Sequence, residues 1–471
     1  MSEPPAYLAI RFDKYEALQS LISAGLDFDS KLEILNGPTI LLNHPPLISI
    51  ACYFGSFKCF NTLNLMGADI HLPDDCGRQP VHFSACSQNP SIISIINNST
   101  DIDYAVDNEH WLPAHYAAHY GRTEILQWLM ICGHDVLSPD NKGRYPLHHA
   151  CMSGSIECLK TLLTNGYDIH QTDVDDCSAL YFAAQSGNAE CCKLLIENGA
   201  EINEQNNDGN TPLHCAASLG NTEVVECLIN KGCKVNIMNK NGMTPAHLAE
   251  ENDHSDIVKI LVSNGCDCDI KNSRGKSLLE LIVAQKDMVC LKEAVYCATK
   301  KETITNAAFV AASMGEAEFL AVLVDIGVNY KATIGPGLSL LHVSVLSGSN
   351  SCVILSLNAG CQVNFVDNQG RTPLIIAAAQ APINIVRTLV DEGSKLGAQD
   401  KCGMTALHHA VIRGDLEIIS YLLQYGSNIR STDSFGRSPL HYSLKNRVIY
   451  EFLLSKGANP NQVDVNNELA K

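Results

Sequence analysis

The stretch NNDGNTPLHCAASLGNTEVVECLINKGCKVN, from Asn206 to Asn236, returns in one register along nearly the whole chain. A fixed period of this kind marks a supersecondary unit that cannot bury its apolar face alone and stacks on copies of itself. Within the unit, Thr211 offers an N-cap oxygen, and Pro212 suits the first helical position, where a missing N–H costs nothing. Leu213, Ala216 and Ala217 share one face of this first helix and are mostly small, which lets a neighbouring backbone approach closely. Gly220 ends it. Val224, Val225, Leu228 and Ile229 form the apolar stripe of a second helix, and Gly232 stands where a left-handed closing residue is wanted. An extended link through Val235 then leads to the next finger. Residues such as Asn206, Asp208 and Gly209 give that finger turn chemistry, so a short β-hairpin is expected there.

With Thr211 as origin, the equivalent slots run at steps of 33 residues from Pro46 to Ser277 and from Asn306 to Ser438. Thr211-Pro212-Leu213-His214-Cys215-Ala216 carries the T-P-L-H-x-A motif of the ankyrin repeat, and in this the chain resembles that family. Gln79-Pro80-Val81-His82, Tyr145-Pro146-Leu147-His148, Thr244-Pro245-Ala246-His247 and Ser438-Pro439-Leu440-His441 are worn copies. The resemblance implies an all-α solenoid of stacked helix-turn-helix repeats with short β-hairpin fingers. It also implies that the motif histidines bridge the Thr hydroxyl and the finger backbone, a structural duty and not a catalytic one.

Two steps break the register, and they divide the chain. Residues 1–45 read as a capping repeat whose finger carries nine extra residues, with Asn36-Gly37 between apolar flanks as a lengthened hairpin. That finger serves either as a contact arm or as a loop folded back on its own array. Residues 46–276 keep the regular register. Residues 277–305 form a degenerate repeat, shortened by four residues and lacking Pro and His at its slot, which is either a hinge or a continuous stack with one short finger. Residues 306–471 return to good motifs and end on a shortened repeat, and Asp464 occupies the finger position of a following unit. Either this last finger caps the array or the chain belongs to a longer protein.

Asp74, Asp107, Asp140, Asp173, Asp367, Asp400 and Asp433 hold one finger position, where a carboxylate can accept from the turn backbone. Of the 20 cysteines, Cys59, Cys158, Cys191, Cys290 and Cys352 share one second-helix slot, and Cys52 and Cys151 share one in the first. They read as small buried hydrophobes. Cys266 and Cys268 lack ligands at zinc spacing, so no metal and no cofactor is expected. So many unpaired thiols imply a reducing compartment, cytoplasmic or nuclear. The start MSEPPAY lacks a basic and apolar leader, and no apolar run is long enough to span a membrane. A net charge of −18 argues against nucleic acid as a partner.

No phosphate loop, nucleophile elbow or metalloprotease motif occurs, so no catalytic residue is assigned and the chain is expected not to be an enzyme. The binding surface expected from the resemblance is the groove of finger tips and first helices. Register places Pro45, Tyr53, Phe54, Arg78, Cys86, Ser87, Trp111, His119, Tyr120, Arg144, Met152 and Ser153 on it. An aromatic strip flanked by two arginines has the composition of an interface hot spot. From these the leading site is Tyr53, Phe54, Arg78, Trp111, His119, Tyr120, Arg144 and Met152, and Trp128 is expected in the core. A second candidate patch is a basic stripe of Arg371, Lys401, Arg413, Arg437 and Lys445. The reading is a monomeric, non-enzymatic scaffold or adaptor that binds protein partners without membrane insertion. Its rival is the substrate-targeting arm of a larger enzyme, such as a ubiquitin-ligase subunit or an ankyrin-bearing acyltransferase. A membrane-linked protein of the same family is a third, weaker reading.

Overall fold

The computed structural model describes residues 3–34, 37–98, 102 and 105–470. These form 28 α-helices in consecutive pairs, grouped in two compact units, Met1–Ile257 and Val258–Lys471. In the first unit the leading helices make one layer from Pro5–Arg11 to Pro245–Glu251, each packed on the next. Small residues permit this approach: Ala51, Ala85, Ala117, Ala150, Ala183 and Ala216 are all fully buried. Trailing helices such as Ile156–Thr164 and Ala189–Glu197 pack on one another behind that layer, through residues such as Leu159, Leu162 and Leu195.

The motif residues explain how one repeat holds the next. His214 is fully buried at the third position of its helix. Its Nδ1 accepts from the Thr211 backbone N–H at 3.1 Å, so the ring proton resides on Nε2 and is donated to the Met243 carbonyl at 3.1 Å. That carbonyl belongs to the following finger. The same bridge runs from His82 to Ala105, from His115 to Arg144, from His148 to Gln171, from His342 to Arg371 and from His408 to Arg437. The structural role implied for the motif histidines is thus met in these six. Burial pulls His214 and His148 down to about 4, which keeps the rings neutral.

Most fingers are tight turns closed by single bonds such as Asp74 N–H to the Arg78 carbonyl at 3.0 Å. Among the described residues the one ladder pairs Thr333–Ile334 with Leu338–Ser339. Finger tips press closely on their neighbours. A side chain on Gly209, whose φ is +78°, would come within 2.9 Å of the Lys240 backbone nitrogen.

The lengthened first finger is paired at its base, Lys31 against Pro46. It folds back on its own repeats, burying Ile34, Ile40 and Leu41. A short 3₁₀ turn, Thr39–Leu41, follows the tip, and the expected Asn36 turn lies outside the described residues. In the second unit the shortened repeat keeps both helices, Leu278–Gln285 and Met288–Ala294, the first of which packs on Lys301–Met314. Glu280 takes the place of the motif histidine, its Oε2 accepting from Ser277 N–H and Oγ–H at 3.0 Å. A glutamate completes the capping box but cannot donate to a following finger. Here the following finger is cut short, and Asp269 holds the chain instead through Thr299 and Lys300. Trp128 departs from expectation: it is half-buried against His134, ring centroids 5.7 Å apart, and not a core residue. The cysteines of the shared slots are buried as expected, as are Cys266 and Cys268, and among the described residues none of them forms a disulfide.

Candidate functional site

In the first unit successive fingers bring Arg78, Trp111 and Arg144 to one place, each the residue before a helix N-cap. The end of helix Pro113–His119 adds His119 and Tyr120. Together they line a cleft of about 460 Å³, with Thr39 and Ile40 of the folded-back first finger on its rim and Cys76, Asp107, Glu109, Tyr116 and Lys142 completing it. Five of the eight leading residues from sequence thus converge. Tyr53, Phe54 and Met152 do not line the cleft; Tyr53 and Phe54 pack edge-to-face on each other at 5.2 Å, and Phe54 on Tyr7 at 5.7 Å.

Trp111 is the hub of the cleft. Its ring meets His149 at 4.1 Å, Tyr116 at 5.0 Å and His119 at 5.6 Å, edge-on or tilted, as aromatic quadrupoles prefer. Its indole Nε1 and the His119 Nδ1 are covered and have no hydrogen-bond partner among the described residues.

The finger aspartates perform a second task that the sequence reading did not see. Asp74 Oδ1 accepts from the backbone N–H of Cys76 and Arg78, as expected, while Oδ2 accepts from Arg78 Nε at 2.7 Å. Asp140 repeats the arrangement with Arg144 Nε at 3.0 Å and adds His149 Nε2 at 3.2 Å. Asp107 has no arginine four residues on, and its Oδ2 accepts from the Tyr116 hydroxyl at 2.5 Å. Burial holds His149 down at about 4 despite the carboxylate beside it, so the neutral ring donates Nε2–H. Burial would raise the Asp140 carboxyl, but the bonds from His149 and Arg144 override it and hold it below the ordinary carboxylate range. Burial and Asp107 push the Tyr116 phenol far up, and burial also raises Tyr120. Neither His149 nor Tyr116 is therefore poised to exchange a proton near neutral pH in the manner of a general base. The spacing that would have revealed this network is Asp at one position with Arg four and His or Tyr nine residues later.

Two arginines of the second candidate patch are tied to the aspartates of their own fingers. Arg371 and Arg437 donate through Nε to Asp367 and Asp433 at 2.8 and 2.9 Å, and Arg437 also stacks on Phe435 and Tyr442. Arg413 reaches Asp415 at 3.5 Å and the Ala381 carbonyl. Of these five, Lys401, Arg413 and Lys445 are exposed. Arg371 and Arg437 are paired because their fingers carry an aspartate four residues before the arginine. His149 and His409 each bond a finger aspartate in the same way.

No helix among the described residues is long and apolar enough to cross a membrane. A family model described as ankyrin repeats (3 copies) matches residues 48–140, 121–206, 180–272, 307–400 and 384–464. Its matches stop and resume on either side of the shortened repeat. Over 56 residues the chain is 38% identical to a putative ankyrin repeat protein of Fowlpox virus (strain NVSL), covering 12% of this chain and 13% of that protein. Over 64 residues it is 42% identical to protein phosphatase 1 regulatory subunit 27 of Homo sapiens, covering 13% of this chain and 42% of that one. The chain therefore spans less than half the length of either relative. With the motif bridges in place and family matches over most of its length, the chain belongs to the ankyrin-repeat family.

Proposed function

We propose that this protein is a non-enzymatic scaffold or adaptor that holds a protein partner on the finger-and-helix surface of its first unit, centred on Trp111, His119 and Tyr120. One observation carries the reading: five of the residues that register alone assigns to the binding face meet in one cleft, aromatic at its centre and flanked by Arg78 and Arg144. A preformed aromatic cleft needs little ordering on binding, so a few contacts suffice for affinity. The ion pairs behind the cleft hold both arginines in place, which supports a rigid wall and not a mobile patch.

The human relative is named as a regulatory subunit of a phosphatase, and this favours a second reading, in which the repeats target an enzyme carried on another chain. The many thiols outside any disulfide support work in a reducing compartment, cytoplasmic or nuclear. The test compares partners captured from cell lysate by the wild type with those captured by a Tyr53→Ala, Trp111→Ala, Tyr120→Ala variant whose circular dichroism is unchanged. A partner lost only from the variant supports the groove. An enzyme recovered in equal amount with the chain favours the targeting arm, and identical partner lists sink both readings at this site.

A further inference from the structure

The three finger aspartates beside Trp111 are fully engaged as acceptors, whereas some donors of the cleft are not engaged. Asp74, Asp107 and Asp140 each accept two backbone N–H groups, and their second oxygens are taken by Arg78, by the Tyr116 hydroxyl, and by Arg144 with His149. The side chains of Asp74 and Asp140 are wholly covered. Against this, Trp111 Nε1 and His119 Nδ1 meet no partner among the described residues. Lys142, exposed on a finger tip at the mouth, forms no ion pair among them either. A covered indole N–H without an acceptor is costly, and an entering group that accepts a hydrogen bond removes that cost. Glu109, exposed on the adjoining finger, repels an anion from its own side, so the favourable approach is along the Lys142 wall.

We propose that the cleft takes the side-chain carboxylate of an Asp or Glu in an extended acidic segment of the partner protein, with the Lys142 ammonium and the Trp111 indole N–H as donors and the Tyr120 ring as its apolar wall. This rests on the groove being the working surface. The volume, about 460 Å³, is at the small end for a ligand site and admits a side chain with its flanking backbone. A carboxylate supplies both the charge for Lys142 and the lone pairs for Trp111, which an amide or hydroxyl does less well.

Random decapeptides displayed on phage are selected on the full chain, and enriched sequences are made as fluorescein-labelled peptides for polarisation measurements. The proteins are the wild type, Lys142→Glu, Trp111→Phe, which keeps an aromatic ring of smaller size and removes the N–H, and Tyr120→Ala, each checked by circular dichroism. The expected result is enrichment of Asp and Glu, about tenfold weaker binding when the peptide's key Glu becomes Gln, and a loss of similar size with Lys142→Glu. Trp111→Phe weakens binding about threefold to tenfold. Enriched peptides without acidic residues, or a Glu→Gln exchange that leaves Kd unchanged, overturn the carboxylate assignment. If such peptides still lose affinity with Tyr120→Ala, the groove reading survives. If no peptide is enriched, or binding ignores all three substitutions, both fall.

Discussion

Acid should loosen the first unit well above the pH at which carboxylates protonate, and the buried histidines set where. Burial depresses His214, His148 and His149 to about 4 and His115 to about 3, whereas an unfolded histidine titrates near 6.5. A depressed histidine makes the unfolded chain the better proton acceptor. Stability is therefore complete above about pH 6.5 and is lost as pH falls through the window down to about 4. At pH 5, an unfolded pKa near 6.5 against a folded value near 4 gives a loss of about 2 kcal/mol for each histidine that must stay neutral. The assay is urea unfolding followed by circular dichroism at pH 7 and pH 5, on the wild type and His214→Gln. Glutamine at the third helical position still accepts from the cap N–H but does not titrate. The variant is expected to be weaker than the wild type at pH 7, yet to lose about 2 kcal/mol less on going to pH 5. Equal losses in the two proteins would show that His214 is not held neutral by its burial, and the reasoning would fail.

Removing Arg78 as Arg78→Met leaves the Asp74 carboxylate covered without its guanidinium, at a cost of about 3 kcal/mol measurable as a fall in unfolding midpoint. Gly209→Ala combines a φ of +78° with a 2.9 Å approach to the Lys240 nitrogen and should cost more than about 1 kcal/mol in the same assay; an unchanged midpoint would mean the fingers are not in contact. Glu280→Ala removes the capping box of the shortened repeat and should cost about 1 kcal/mol, whereas Glu280→Gln keeps the acceptor and most of the stability. Cys132 and Cys402 are exposed and should be labelled promptly by a maleimide, while Cys52, Cys59 and Cys268 stay protected until urea unfolds the chain, as mass spectrometry of the labelled peptides will show.

Much of this molecule is local, and what is local was readable. Thr211, Pro212 and Gly220 begin and end a helix by backbone geometry that any copy of the motif repeats, so helix pairs, caps and the buried slots of Cys59 or Cys158 follow from register alone. Register also placed Arg78, Trp111, His119, Tyr120 and Arg144 on one face, because a residue's side in a stacked array depends only on its position within the unit. What it could not supply was the state of those side chains. Whether Arg78 and Arg371 are free charges or partners of Asp74 and Asp367 depends on turn geometry that brings residues four apart face to face outside any helix. Whether Phe54 faces a partner or Tyr7, and whether Trp128 is core or half-exposed, depends on the neighbouring repeat. The folded-back first finger reaches the cleft through Thr39 and Ile40, across a distance in sequence that no period encodes. Periodicity determines the backbone and which face each residue takes, whereas ion pairing and side-chain burial arise from contacts between repeats, and those only the tertiary structure decides.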